Sequence, residues 1–137
     1  MRIKEFAIQG CRIQGYSERV SFNMYEDDRD VIMCEARGTI EMTKCPSRYL
    51  ESKRKRTKKD VVYFDNFGTF PDYRGKGYAR KMLQHVKEFY KGKIVYLFVC
   101  ASPGGSLDDD QLIKFYKSEG FRQYQTNYQW PLMGIEL

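Results

Sequence analysis

The chain is short of histidine, of paired cysteines and of long apolar runs, and each shortage removes a class of protein. His85 is its only histidine, and Cys11, Cys34, Cys45 and Cys100 are scattered with no C-x-x-C pair. That pattern argues against a structural zinc site and supplies no ligand set for a metal. A nucleophilic Cys–His pair finds no supporting local pattern either. No apolar stretch approaches the roughly 20 residues of a membrane-spanning helix. The opening MRIKEFAIQG lacks the apolar core of a secretory signal. These absences lead to the expectation of a soluble cytoplasmic protein with reduced thiols, no metal and no membrane partner. Cys34 and Cys100 lie in apolar runs and read as small core residues.

What is present points to one globular domain over residues 1–137, with 11 Tyr and 9 Phe to fill a core. The net charge of +6 is unevenly spread. Residues 44–59, KCPSRYLESKRKRTKK, hold eight Lys and Arg against one Glu, while the remainder is close to neutral. The stretch shows neither helical nor strand period, so residues 44–60 are expected to form a flexible basic loop.

Periodicity orders the rest of the chain. Residues 3–8 read as a first strand, broken by the glycines of GCRIQG. Val20, Phe22 and Met24 alternate with polar neighbours, and 31–43 resumes after a polar turn, so 19–43 reads as a hairpin with a bulge at Gly38. Residues 61–70 form a long aromatic strand ended by Pro71. Ala79, Met82, Leu83, Val86 and Tyr90 recur at helical spacing over 78–90. The apolar run 93–101 suits a strand buried on both faces. After SPGGS, Ser106 and Asp109 resemble a capping box for a helix over 107–118. Residues 121–128 and 131–137 suggest a final strand pair. Strand–helix–strand order favours parallel pairing of 61–70 with 93–101, and the terminal pairs favour antiparallel edges. The expected class is a mixed α/β sheet with flanking helices.

The stretch FPDYRGKGYARKML places glycines and cations at the start of the 78–90 helix. Helix-start N–H groups lack intrahelical partners and the dipole there favours an anion. Gly75 and Gly77 let the backbone close around a phosphate, while Arg74, Lys76 and Arg80 add charge. The loop is neither a P-loop nor a dinucleotide fingerprint, since Arg80 stands where the third glycine belongs.

RGKGYA resembles the R/Q-x-x-G-x-G/A motif of the GNAT superfamily of N-acetyltransferases, with Arg74, Gly77 and Ala79 at its defined positions. QLIKFYKSEGF resembles the second family signature, carried by Phe115, Tyr116, Gly120 and Phe121. The resemblance covers about residues 61–128, and the first sixty residues match poorly; the short N-terminal part and the SPGGSLDDDQLIKFY pattern look most like compact phage or bacterial members. It implies an acetyl-CoA site, with the pyrophosphate on the amides of Gly75, Lys76, Gly77, Tyr78, Ala79 and Arg80. It implies a pantetheine arm between splayed strands 61–70 and 93–101, meeting backbone near Phe67, Thr69 and Phe70. A strand amide would polarise the thioester carbonyl, an effective device for a developing oxyanion. The implied reaction is direct attack of an amine acceptor, a small molecule or a protein, through a tetrahedral intermediate in a ternary complex.

A free lysine amine titrates near about 10.4, so direct transfer needs a base. Asp65 is the one acid within 61–70 and shares strand parity with Phe67 and Thr69 unless a bulge at Gly68 intervenes. Glu35 and Glu41 are rivals for the role, and His85 lies beside the apolar stripe of its helix. Tyr116 fills the position that often returns a proton to the leaving thiolate in the family. Asp109 stands where the family commonly has a cofactor-contacting Asn, and residues 10–30 lack the family's usual helices. The acceptor pocket is therefore open, or is built by the 44–59 loop or another subunit; monomer and dimer both stay open. Two other readings remain: a GNAT-fold module without catalysis, holding an acidic partner on 44–59, and a nucleic-acid-associated protein. No aromatic interrupts 53–59, which gives base stacking little support there.

Overall fold

The computed structural model describes residues 2–12, 15–27, 29–40, 45–101, 105 and 107–137. In chain order the elements are β1 (Arg2–Arg12), β2 (Gly15–Tyr25), β3 (Ile32–Ile40), α1 (Arg48–Thr57), β4 (Val61–Thr69), α2 (Tyr78–Phe89), β5 (Ile94–Phe98), α3 (Asp109–Ser118), β6 (Arg122–Tyr124) and β7 (Leu132–Glu136). A 3-10 turn, Pro71–Tyr73, follows β4. The fold is mixed α/β, with antiparallel and parallel pairing, as the periodicity predicts. No helix among the described residues is long and apolar enough to cross a membrane. The chain divides into two compact units, 1–40 with 64–91 and 41–63 with 92–137.

The first unit orders its strands β1-β2-β3-β4, with α2 packed on one face. Val20, Phe22 and Met24 pair with Gly38, Ala36 and Cys34 on that face. The Phe22 ring meets Phe89 and Tyr90 of the α2 end edge-on at 5.1 and 5.8 Å. Met82, Leu83 and Val86 bury the apolar stripe of the helix. Two expectations change here. β1 runs on through Gly10, because each residue from Arg2 to Arg12 finds a partner on β2. The register slips between Met24 and Tyr25 rather than at Gly38. Gly38 is needed for another reason: a Cβ there would overlap the Tyr90 ring.

The second unit orders its strands β4-β5-β7-β6. Its parallel ladder joins Val61, Val62 and Tyr63 to Ile94, Val95 and Tyr96, and stops there although β4 continues to Thr69. Leu50, Val61, Ile94, Tyr96 and Leu132 form its core with Cys45. β5 ends at Phe98, earlier than residue 101: Val99 still gives its N–H to the Pro131 carbonyl at 2.8 Å, but the proline has no N–H to return. Cys100 then faces solvent and is no core residue, whereas Cys34 is fully buried. β6 and β7 are shorter than the runs 121–128 and 131–137.

The expected basic loop over 44–60 is largely a helix. Ser47 caps α1, accepting from the Tyr49 N–H at 3.2 Å, and Lys58 closes it in the left-handed conformation. Leu50 is its one buried apolar side chain. Glu51 is buried beside it, accepting from the Cys45 N–H at 2.9 Å and from Arg54 at 2.7 Å. Burial raises the Glu51 pKa, but these partners outweigh it and hold the carboxyl below its usual range. Lys and Arg are good helix formers, so one anchor on each side suffices. The cap of α3 is Asp108 in a reciprocal box with Gln111; the predicted cap, Ser106, and the rest of the SPGGS loop except residue 105 lie outside the described residues.

Candidate functional site: an uncapped helix start and a charged strand face

α1 and α3 each close their N-terminus with a side chain, whereas α2 begins at Gly77 with no side-chain cap. The first bond of its ladder runs from Lys81 N to Gly77 O at 3.2 Å, so the N–H groups ahead of it are not used by the helix. Gly75 and Gly77 adopt φ of 78° and 81°, a conformation that side chains rarely take. A Cβ at either position would meet nothing within 4 Å, so the glycines serve backbone shape and leave the space above the turn open. Gly75, Lys76, Gly77 and Arg80 are exposed, and Tyr78 and Ala79 half-buried. Arg74 braces the turn, donating from Nε to the Thr69 carbonyl at 3.1 Å. Lys76 lies over the Tyr73 ring at 5.9 Å. Open space, the N–H groups of a helix start, a helix dipole and cations together fit a diphosphate, so the residues present suit the nucleotide end of acetyl-CoA.

β4 does not keep strict alternation. The Phe67 ring meets Phe64 at 5.3 Å, three residues back, and the Thr69 hydroxyl donates to Cys34 Sγ at 3.6 Å, on the α2 side of the sheet. Asp65 points the other way, toward Arg37 and Arg19. Asp65 therefore does not share a face with Phe67 and Thr69; the alternation breaks between 64 and 67, ahead of Gly68. Phe70 is exposed, and its N–H is taken by the Met33 carbonyl at 2.9 Å.

On that opposite face Ser21 pairs with Arg37 and Arg19 with Thr39. Arg19 Nε donates to the Thr39 hydroxyl at 3.3 Å. Asp65 Oδ1 and Arg37 Nε are buried with no hydrogen-bond partner among the described residues. Burial raises the Asp65 pKa above the ordinary carboxylate range, and the attraction of Arg37 and Arg19 only partly offsets it. Arg19 and Arg37 escape the sequence reading, although the hairpin register puts both on the polar face once the pairing is known. The rival Glu35 lies on this same face, opposite Asn23, and Glu41 falls outside the described residues. His85 is half-buried and tied to Glu5 through Nε2 at 2.5 Å. Cys34 has its thiol pushed up by burial, against the lowering hydrogen bond from Thr69, which makes it inert rather than nucleophilic.

In the second unit Tyr116 is 6% exposed on α3, its ring edge-on to Phe115 and Phe121 at 5.3 and 5.5 Å. Asp109 uses Oδ1 to accept the Ala101 N–H at 2.7 Å, so it holds the end of the strand-to-helix connection. Among the described residues no group of three or more His, Cys, Asp or Glu could hold a metal ion.

These features describe a mixed α/β fold with an anion-ready helix start. A family profile described as an acetyltransferase (GNAT) domain matches residues 18–123, well over half of the chain, and the chain belongs to that family. No curated protein sequence matches it significantly. Among solved structures it is similar to the N-acetyltransferase YlbP of Bacillus subtilis in complex with coenzyme A, with TM-score 0.60 at 11% identity over 85% of this chain and 67% of that one. NAA60 of Arabidopsis thaliana, solved with a bisubstrate analogue, gives TM-score 0.60 at 20% identity over 86% and 75%. The anti-CRISPR protein AcrVA5 gives TM-score 0.56 at 16% identity over 85% and 98%. At these identities the likeness concerns the fold.

Proposed function

We propose that the protein is an acetyl-CoA-dependent N-acetyltransferase that passes the acetyl group directly to an amine acceptor within a ternary complex. The observation that carries this reading is the start of α2, which among the α-helices of the described residues alone leaves its N-terminus without a side-chain cap, in the arrangement the family motif implies. Acetyl-CoA would supply an activated thioester; the remaining work falls to this chain. The backbone of residues 75–80 would hold the diphosphate, with Arg74, Lys76 and Arg80 adding charge. Since Phe70 already spends its N–H on Met33, the pantetheine amides would meet backbone at Phe67 to Thr69. Asp65 would take the proton from the acceptor ammonium; a carboxylate with a raised pKa is a stronger base. Tyr116 would return a proton to the leaving thiolate, and Asp109 would shape the connection ahead of α3. The acceptor is an amine of a small molecule or of a protein.

Calorimetric titration of acetyl-CoA into wild type and Gly77→Glu tests the reading. Glutamate there forces a residue other than glycine to φ near 81° and sets a carboxylate against the diphosphate. Micromolar binding by the wild type, lost by at least about 100-fold in the variant, is expected. A wild type that does not bind would refute the proposal. Asp65→Asn should lower turnover by about 100-fold or more while leaving acetyl-CoA affinity unchanged. The same change should raise stability slightly at neutral pH. A raised carboxylate pKa penalises the folded state above that pKa, and the penalty fades as pH falls through the folded value toward the unfolded one. The gain in the Asn variant should therefore vanish in acid, which urea unfolding at several pH values would show.

A further inference from the structure

One face of α1 remains unexplained by acetyl transfer. Residues 48, 49, 52, 53 and 56 lie along one helical stripe, opposite the buried Leu50 and Glu51. That stripe and β6, the last strand in its unit's order, form the walls of two adjoining cavities of about 390 and 310 Å³, which share Tyr49 and Gln125. Arg48, Lys53, Arg56 and Arg122 line them, and among the described residues no Asp or Glu does. Arg54, the helix cation that does pair, points to Glu51 on the buried side. The groove is held at the N-terminal end of α1: Ser47 caps the helix, and the Thr126 hydroxyl donates to the Pro46 carbonyl at 3.1 Å.

We infer that this groove binds single-stranded nucleic acid, with phosphates on the four cations and a base stacked on Tyr49. The inference is independent of acetyl transfer. Charge selects a polyanion, and the rest of the lining selects which one. A peptide groove needs apolar pockets for anchoring side chains. Among the described residues this lining has no Leu, Ile, Val or Met, only Pro46 and two tyrosines, Tyr49 and Tyr124. Tyr49 is 61% exposed and stands between Arg48 and Lys53, where a base can lie on its ring. Gln123, Gln125 and Asn127 offer amides that match base edges. A duplex would hide the base faces from Tyr49, so the fitting partner is single-stranded. The aromatic missing within 53–59 is thus supplied one turn earlier and from the facing strand.

The test is fluorescence anisotropy of a labelled dodecathymidylate with the full chain over a salt series. Four phosphate contacts predict a log–log salt slope of about −3. Lys53→Gln/Arg56→Gln/Arg122→Gln should reduce that slope to about −0.7 and weaken binding by at least tenfold at low salt. Tyr49→Ala should weaken binding about tenfold or more with the slope unchanged, since stacking carries no counterions. None of these side chains holds the fold together, and circular dichroism of each variant checks that. Acetyl-CoA affinity should not change in any of them. No saturable binding below about 100 µM in low salt, or binding that survives the triple substitution, overturns the proposal. So does displacement by polyglutamate as effective as by unlabelled oligonucleotide with Tyr49→Ala silent, which would make the groove an acidic-polypeptide site.

Discussion

The helix α1 and the start of α2 both carry several cations, yet they are built on opposite principles. α2 leaves its backbone N–H groups open, with Gly75 and Gly77 shaping the turn and no cap over it. α1 spends its own N-terminus on Ser47 and offers only side-chain charge, spread along one face. The first arrangement suits one compact anion held at fixed geometry; the second suits an extended polyanion met at several points. Their supports differ in the same sense. α2 rests on a full apolar stripe, whereas α1 rests on one leucine and one buried carboxylate. Equal positive charge in sequence therefore does not mean equal function.

The widest gap between the two should appear with ionic strength. Raising salt from about 50 to 200 mM should cost the oligonucleotide about 50-fold in affinity, for a slope near −3. Acetyl-CoA, held largely by fixed backbone dipoles, should lose at most about fivefold. Parallel titrations would show it, and equal losses would erase the distinction.

Next in size is Glu51→Ala. It strips the Cys45 N–H and Arg54 of their buried partner and should destabilise the fold by about 2–3 kcal/mol. Helicity and oligonucleotide binding should fall while acetyl-CoA binding persists below the unfolding transition. Because the Glu51 pKa is lowered on folding, its stabilisation is complete above the unfolded value and is lost as pH falls through the folded one. Glu51→Gln should accordingly flatten the acid limb of stability against pH. The smallest effect expected is that of Gly38→Ala, where the new methyl meets the Tyr90 ring under the end of α2. A loss of about 1–2 kcal/mol in urea unfolding is expected, with the affinity for the oligonucleotide unchanged.

The α2 turn was legible in the sequence because its signals are local. Glycines, flanking cations and the stripe Met82, Leu83, Val86 follow one another within a dozen residues, and helix-start physics reads them directly. α1 was not legible, since a helix with one buried aliphatic residue has no periodic stripe to detect. Ser47 and the run of Lys and Arg were the available signals, read as polarity rather than as a capped helix. The facing of Asp65 was hidden for a different reason. Parity assigns faces only while alternation holds, and here it breaks between Phe64 and Phe67.

By itself, then, the sequence determined the order of the strands and of the two later helices, the parallel crossover through α2, and the glycine turn, because each leaves its signal in a local pattern. Only the tertiary structure decided what lies opposite what. It turned Asp65 toward Arg37 and Arg19, set Gly38 against Tyr90, and brought Arg122 and Gln125 to the basic face of α1. Those pairings join residues from 28 (Asp65 and Arg37) to 76 (Gln125 and Tyr49) positions apart, and they follow from strand register and packing, which no local pattern encodes.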